Sequence, residues 1–251
     1  MSFHPAAIVP IYNHPDTIVD VVAKLREWKL FVLLVDDGSD QPTRSILDFL
    51  EQDGGADIGL HRLDRNCGKG AALLEGFEIL AKCGYTHALQ VDADAQHDLG
   101  DAGILLDLAA TEPGALISAI PRYDDSVPIY RYYGRWLTHL LVWAETYSRE
   151  IRDSMCGFRV YPLAATLALS RRTHLGSRME FDTEIMVRLY RAGVPIRFYP
   201  VAVRYPERGI SHYRMVRDNL RMTWLHIRLL AGFWRHRGFP TRDPGRRISS
   251  G

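Results

Sequence analysis

The sequence predicts an α/β protein with a mainly parallel sheet, helices on both faces of that sheet, and an amphipathic C-terminal helix. Short apolar runs alternate with segments whose apolar residues recur every three or four positions, as strands alternate with helices. Such alternation builds parallel sheets, because each crossover helix returns the chain to the same edge. Two of the apolar runs end directly in carboxylates, at the sheet edge where open α/β folds bind ligands.

Five strands are predicted in the first half of the chain, separated by helices and by turns rich in Gly, Pro, Asn and Asp. In the first helix Ile18, Val21, Val22 and Leu25 share one face, and Asp16 is predicted to cap it. The predicted strands are 6–11, 30–35, 58–63, 87–91 and 115–120, and later helices cover 42–51, 66–82 and 100–110.

The second half continues with a helix rich in Leu, Val and Trp up to residue 147 and a polar loop that enters a further strand at 159–162. A helix over 180–191 follows, ended by Gly193 and Pro195, and then a strand over 196–205.

A last helix is predicted over 213–234, and it carries two unlike faces. The basic stripe consists of Arg214, Arg221, Arg228 and Arg235 at seven-residue intervals, with Arg217 beside them, and Val216, Leu220, Ile227 and Trp234 lie roughly opposite. Two interpretations stay open: the helix lies in a membrane interface with its arginines toward anionic headgroups, or it packs on its own domain. Residues 238–251 have no periodicity and are predicted to be disordered.

Charge divides the chain into two halves. Residues 1–121 carry 8 Lys and Arg against 19 Asp and Glu, a net charge of −11, whereas residues 122–251 carry 23 against 11, a net charge of +12. An acidic half suits a metal site, and a basic half suits phosphate or a membrane surface unless its arginines merely cover solvated faces. No nucleic-acid partner is predicted, because the basic region includes a strongly apolar helix and no recognised nucleic-acid motif.

Three cysteines, Cys67, Cys83 and Cys156, stand at unrelated spacings, which indicates neither a disulfide framework nor a zinc site. They favour a reducing, cytoplasmic location. Neither a signal peptide nor a membrane span is predicted, because no basic segment with an apolar stretch opens the sequence and no apolar run reaches about 18 residues.

The segment Asp92-Ala93-Asp94-Ala95-Gln96 follows the predicted strand at 87–91 and is the strongest indication of chemistry. Two carboxylates at the carboxyl edge of a parallel sheet are suitable ligands for Mg²⁺ or Mn²⁺, which keep open positions for substrate phosphates. The alternative interpretation is an acidic turn that ends a strand.

Two further stretches suit a nucleotide. The strand at 30–35 ends in Asp36 and Asp37, which suit a base or a ribose. Gly68, Lys69 and Gly70 open a helix, where exposed N–H groups and a lysine favour an anion, although an ordinary glycine turn explains the spacing equally well.

Five motifs in order resemble glycosyltransferase family 2, and within it the dolichyl- and polyprenyl-phosphate sugar transferases. They are Val9-Pro10-Ile11-Tyr12-Asn13, Val35-Asp36-Asp37-Gly38-Ser39, Asn66-x-Gly68-Lys69-Gly70, Asp92-x-Asp94-x-Gln96 and Gly157-Phe158-Arg159, within a similarity over residues 6–215. The resemblance implies a GT-A fold over residues 1–211, with a nucleotide-sugar half at 1–121 and an acceptor half at 122–211, followed by a basic helix at 212–237.

The resemblance also implies a nucleoside-diphosphate sugar donor, a divalent cation and a set of site residues. Pro10, Tyr12 and Asp37 would line the nucleotide pocket with Lys69 close by, and Asp92, Asp94 and Gln96 would hold Mg²⁺ or Mn²⁺ against the diphosphate. The metal neutralises the leaving nucleoside diphosphate and needs no proton donor.

Two kinds of acceptor remain open. A lipid phosphate is already anionic and needs arginines rather than a base, and Arg122, Arg131, Arg208 and Ser211 stand where the resemblance places such contacts. A hydroxyl acceptor needs a general base, for which Asp182 or its neighbours Glu180 and Glu184 are suited, unless they only stabilise a helix N-terminus.

The predicted function is therefore inverting, metal-dependent sugar transfer to a lipid-linked phosphate at the cytoplasmic face of a membrane, with Asp94, Asp182 and Arg208 as the catalytic residues. One alternative is transfer to a glycan or glycolipid hydroxyl with Asp182 as base. Another is a non-catalytic nucleotide-binding or membrane-docking module.

Overall fold

A computed structural model describes the backbone of residues 3–122, 129–202 and 215–235, and the side chains of residues 3–122, 138–202 and 217–231. The strands β1 to β7 are Pro5–Ile11, Val32–Asp36, Ile58–Arg62, His87–Gln90, Leu116–Arg122, Arg159–Pro162 and Ile196–Ala202. The helices α1 to α8 are Ile18–Glu27, Thr43–Gly54, Lys69–Lys82, Ala102–Thr111, Ile129–Thr146, Leu163–Ser170, Phe181–Arg191 and Met215–Arg235.

The strands form one sheet in the order β3-β2-β1-β4-β6-β5-β7. Strands β1 to β4 pair in parallel, and β5 and β7 also pair in parallel with each other. Strand β6 is antiparallel to both of its neighbours, β4 and β5. The predicted mainly parallel sheet is confirmed, and β6 is the antiparallel strand that joins its two parallel parts.

Helices cover both faces of the sheet, as predicted. Along β1 the side chains alternate, so that Ala7, Val9 and Ile11 join the core under α1, α2 and α4. Ala6 and Ile8 join the opposite core, under α3 and α5 to α8. Burial on both faces explains why the central strands are continuous apolar runs rather than alternating ones.

Three local predictions differ from the structure. The N-cap of α1 is Thr17, not Asp16, and the Thr17 hydroxyl donates to the carbonyl of Ala93 instead of capping the helix. Helix α3 begins at Lys69 and not at Asn66, because its N-cap Gly68 has φ +104° and ψ 157°, which is not a helical conformation. Helix α6 was not predicted, because its run Leu163–Ser170 lacks a helical polar face.

Helix α8 packs on the domain, which is the second of the two open interpretations. Its basic stripe does not simply face outward. Leu225 and Leu229 are buried in the core that includes α5 and α7. Arg221 pairs with Asp218 and Arg228 pairs with Glu184, so both arginines are engaged by carboxylates of this chain. Leu220, Trp224 and Ile227 are exposed at 66%, 64% and 51%.

Among the residues that the structure describes, no helix has the length and apolarity required to cross a membrane. The predicted disordered stretch at 238–251 lies outside the described residues.

Candidate active site

The site lies at the carboxyl ends of β1, β2 and β4. Pro10 is half-buried in β1 and pairs with Val35 of β2, and Tyr12 follows at the strand's end. Asp92 and Asp94 follow β4. The parallel pairing of these three strands brings together residues that are far apart in the sequence, as the alternating pattern predicted.

Asp37 shapes the approach to helix α3. Asp37 is 3% exposed, and its carboxylate accepts hydrogen bonds from the amides of Cys67 and Gly68, at 2.6 and 2.8 Å. Burial raises the pKa of Asp37 above its usual range, and the two amide donors oppose that shift. The carboxylate therefore fixes the Gly68 loop, and its predicted contact with a nucleotide stays a prediction.

Lys69 links two carboxylates at the centre of the site. Its ammonium lies 2.7 Å from Asp92 Oδ1 and 2.7 Å from Asp182 Oδ2, and its side chain is only 14% exposed. Burial acts to lower the pKa of Lys69, but the two carboxylates outweigh it and raise the pKa well above the usual range. Lys69 is therefore a permanent cation beside the predicted metal ligand Asp92 and the predicted base Asp182.

Gln90 completes this group from the last position of β4. It is fully buried, and its amide group donates to Asp92 Oδ1 at 3.4 Å and to Asp182 Oδ1 at 3.3 Å. Sequence reasoning missed Gln90, although a polar side chain at the end of an otherwise apolar strand is a signal for it. Both oxygens of Asp182 consequently face donors from this chain.

The pKa values of Asp92 and Asp94 are shifted in opposite directions. Burial acts to raise the pKa of Asp92, but the charge of Lys69 outweighs it and holds that pKa below its usual range. Burial, reinforced by the charge of Asp92, raises the pKa of Asp94 to about 6. Asp94 is thus the carboxylate that most needs a further positive charge nearby.

The donors in this segment fit a hard divalent cation. Asp92, Asp94 and the predicted ligand Gln96 offer oxygen atoms, and the backbone N–H of Gln96 donates to Asp94 Oδ1 at 3.2 Å. Among the described residues no group of three or more His, Cys, Asp and Glu side chains has the arrangement of a metal site. Mg²⁺ is usually held by one or two carboxylates together with substrate phosphates, so this donor set fits a metal that arrives with a nucleotide.

The loop before β6 packs against Asp92. A Cβ atom at Gly157 would lie 2.3 Å from Asp92 Oδ2, so only glycine fits there without a shift. Asp153 orders the loop by accepting the amides of Met155 and Cys156 at 2.7 and 3.0 Å. Arg159 is fully buried and donates to the carbonyls of Asp182 and Ser154 at 2.6 and 2.7 Å, which binds this loop to the start of α7.

A second loop, residues 171–180, covers the beginning of α3. Added Cβ atoms at Gly68 and Gly70 would lie 2.4 Å from the Ser177 carbonyl oxygen and 2.6 Å from that of Gly176. Arg178 donates to Asn66 Oδ1 at 2.7 Å from the same loop. The glycines flanking Lys69 therefore permit a close backbone contact.

The remaining predicted residues are less fully described. Arg122 is exposed at the end of β5. Arg131 lies in α5, where its side chain is outside the described part of the structure, and both Arg208 and Ser211 fall in a stretch that is not described. Glu180 accepts the amide of Arg178 at 3.3 Å, and Glu184 is fully buried.

These features define an α/β fold with an acidic site at the carboxyl edge of its sheet. The chain matches the model of the family Glycosyl transferase family 2 over residues 6–177, and it belongs to that family. It is therefore a glycosyltransferase, and the interpretation as a non-catalytic module is set aside.

Relatives of this chain include lipid-phosphate transferases. It is 26% identical to polyprenol monophosphomannose synthase of Mycolicibacterium smegmatis, over 85% of this chain and 82% of that protein. It is 25% identical to dolichyl-phosphate beta-glucosyltransferase of Dictyostelium discoideum, over 93% of this chain and 77% of that protein.

A solved structure confirms the fold. Glucosyl-3-phosphoglycerate synthase from Mycobacterium tuberculosis, in complex with phosphoglyceric acid, superposes with a TM-score of 0.67 at 16% identity, covering 92% of this chain and 81% of that one. The GT-A fold expected from the sequence is therefore confirmed.

Proposed function

We propose that this protein transfers a sugar, with inversion, from a nucleoside-diphosphate sugar to a lipid-linked phosphate at the cytoplasmic face of a membrane, with Mg²⁺ or Mn²⁺ as cofactor. The observation that carries the proposal is the state of Asp182, which is 3% exposed and already paired with Lys69.

On the donor side, Asp92, Asp94 and Gln96 would hold the metal, and Pro10, Tyr12 and Asp37 are proposed to line the nucleotide pocket. When bound, the cation supplies Lewis-acid neutralisation of the leaving diphosphate. Lys69 and Gln90 keep Asp92 ionised and oriented, because each donates to its Oδ1 atom.

On the acceptor side, the pairing of Asp182 argues against a hydroxyl nucleophile. A general base must take a proton, and a protonated Asp182 would give up its ion pair with Lys69 at 2.7 Å. A phosphate acceptor is already anionic and needs no such base. The names of the two relatives above, which specify dolichyl phosphate and a polyprenol, support the same acceptor class.

Contacts to the acceptor phosphate are proposed for Arg122, Arg131, Arg208 and Ser211, with Arg208 closest to the reaction. A guanidinium binds phosphate oxygens in bidentate geometry and stays charged at every physiological pH.

Membrane contact is proposed for the exposed face of α8. Leu220, Trp224 and Ile227 lie on one side of this helix, and Arg217 is exposed beside them. An apolar stripe with a neighbouring cation fits an anionic bilayer surface. We expect Trp224→Ala to weaken sedimentation with phosphatidylglycerol vesicles about tenfold, in line with burial of one large side chain. Phe49→Ala is the matched control, since Phe49 is 62% exposed on α2; equal losses in both variants would contradict this surface.

The donor half is tested by calorimetry with GDP-mannose, UDP-glucose and UDP-GlcNAc, with and without Mn²⁺. We expect one donor to bind in a metal-dependent way and Asp94→Ala to abolish that binding. Failure of every donor under all conditions would refute the proposed function.

The alternative acceptor is a hydroxyl group, and the observation that favours it is the position of Asp182, whose carboxylate shares Lys69 with the predicted metal ligand Asp92. Asp182→Asn separates the two acceptors. Asparagine still accepts a hydrogen bond from Lys69, so a phosphate acceptor predicts a loss of kcat below about tenfold, whereas loss of a general base predicts about 10²–10⁴-fold.

A further inference from the structure

Helix α8 is joined to helix α7 by an ion pair between Arg228 and the buried carboxylate of Glu184. One terminal nitrogen of Arg228 donates to both carboxylate oxygens of Glu184, at 2.7 Å each. Glu184 is fully buried and lies in the first turn of α7, as does Asp182. The contact is charge-assisted, which strengthens it; the Glu184 carboxylate has no exposed surface, and the side chain of Arg228 is 34% exposed.

Glu184 also holds the loop that covers α3. Its Oε2 atom accepts the amide of Gly176 at 2.7 Å, and its Oε1 atom accepts from Arg188 at 2.8 Å. The next residue of the loop, Ser177, accepts the amide of Ala71 at 3.0 Å. Glu184 therefore connects α8 to the first turn of α3, where Lys69 begins the helix.

We propose that Arg228 and Glu184 are positioning residues of the nucleotide-sugar site, so that the C-terminal helix is part of the enzyme's working structure. Arg228 holds Glu184, Glu184 holds Gly176, and the Gly176–Ser177 backbone fixes the turn that presents Lys69 to Asp92 and Asp182. This proposal rests on the proposed function, because it assumes that the Lys69 turn borders the donor site.

The burial of Glu184 also determines its role among the three acidic residues considered as bases. With no exposed surface and both oxygens occupied by donors of this chain, it orders a loop and does not take a substrate proton. Without Arg228 the buried carboxylate would keep Arg188 as its cationic partner and would turn toward it, which releases the amide of Gly176.

Helix α8 should remain docked when Arg228 is replaced. Leu225 and Leu229 are each 1% exposed in the core, and His226 contacts the buried Glu145 of α5 at 2.6 Å. Arg228→Ala therefore removes the link to Glu184 without removing the helix. Arg221→Ala is the matched control, because Arg221 belongs to the same helix and pairs with Asp218 of that helix at 3.3 Å.

The first measurement is amide hydrogen exchange of the full chain without ligand, which does not depend on any substrate. We expect Arg228→Ala to speed exchange at Gly176 and Ala71 at least about tenfold, as local opening becomes easier, and Arg221→Ala to leave both unchanged. Unchanged exchange in Arg228→Ala would overturn the link, whatever the protein's function.

The second measurement is calorimetric affinity for the donor that the wild-type protein binds with Mn²⁺, well below the unfolding temperature of every variant. We expect Arg228→Ala to raise the donor Kd about fivefold to tenfold, Arg228→Lys to recover part of that loss, and Arg221→Ala to bind like the wild type. A merely structural role would lower the melting temperature of Arg228→Ala and leave the Kd unchanged, and that result would overturn the proposal.

If Arg228→Ala is insoluble, Arg228→Gln takes its place in both measurements. A wild-type protein that binds no donor would instead refute the proposed function and leave the exchange result to stand alone.

Discussion

Replacement of Lys69 by methionine tests the electrostatic core of the site. Lys69 contacts Asp92 and Asp182 at 2.7 Å each, so Lys69→Met leaves two carboxylates close together without their shared cation. Removing one partner from a buried ion pair costs about 3–5 kcal/mol. We expect the lower end, about 3 kcal/mol, because water reaches Asp92, whose side chain is 24% exposed.

The assay is urea unfolding at pH 7, with thermal unfolding as a second measure. For a chain of this size 3 kcal/mol corresponds to a melting temperature about 6–12 °C lower. Lys82→Met, at the other end of α3, is the control, because Lys82 is 77% exposed and should change stability by less than about 0.5 kcal/mol. Mn²⁺ should recover part of the stability lost in Lys69→Met, since a cation beside Asp92 replaces the missing charge.

The pH dependence of this difference has a definite sign. Lys69 holds the pKa of Asp92 below its usual value, so the stabilisation is present at neutral pH and is lost as the pH falls below about 4. The pKa of Lys69 is raised by folding, so its contribution to stability is complete up to about pH 10.5 and is lost only at higher pH. The reasoning would be refuted if Lys69→Met were within about 1 kcal/mol of the wild type at pH 7, or if Lys82→Met lost as much.

Two further predictions concern Asp92 and Asp94. Gly157→Ala should weaken Mn²⁺-dependent donor binding at least about tenfold, because the new Cβ displaces the Asp92 carboxylate, whereas Gly114→Ala, which has open space around it, should bind normally in the same titration. Burial and the charge of Asp92 raise the pKa of Asp94 to about 6, so protons should compete with the metal at lower pH. The Kd for Mn²⁺ should rise about tenfold per pH unit below pH 6 and stay constant above pH 7. A Kd that stays constant down to pH 5 would contradict the assignment of Asp94 as a metal ligand.

The sequence predicted the sheet, most element positions and the place of the Asp92 segment at the sheet edge, because these depend on local periodicity and on where strands end. It did not predict the antiparallel direction of β6, since a run of four residues, Arg159–Pro162, carries no information on direction. The predicted N-cap of α1, Asp16, was wrong because Asp16 and Thr17 are both good cap residues. Thr17 takes the position, and its hydroxyl contacts the carbonyl of Ala93.

The sequence also did not predict the polar contacts between residues that are far apart along the chain. The pairing of Lys69 with Asp182 joins residues 113 positions apart, and the pairing of Arg228 with Glu184 joins residues 44 apart. On a helical wheel Arg228 belongs to a basic stripe that faces water or headgroups. Only the packed structure shows a buried carboxylate opposite it, because a wheel contains no information on neighbouring helices.

The place of β6 in the sheet has a consequence for the order of assembly during synthesis. Strands β1 to β4 form a continuous parallel block, but β5 pairs only with β6 and β7 among the described strands. A ribosome-bound chain that ends at residue 122 would leave one edge of β4 open and β5 without a partner. That edge is closed only when Arg159–Pro162 emerges, and the same strand carries the arginine that fastens Asp182. Closing the edge of β4 and fastening Asp182 therefore both depend on β6, and a shortened chain would expose an edge strand that favours aggregation before it could bind any substrate.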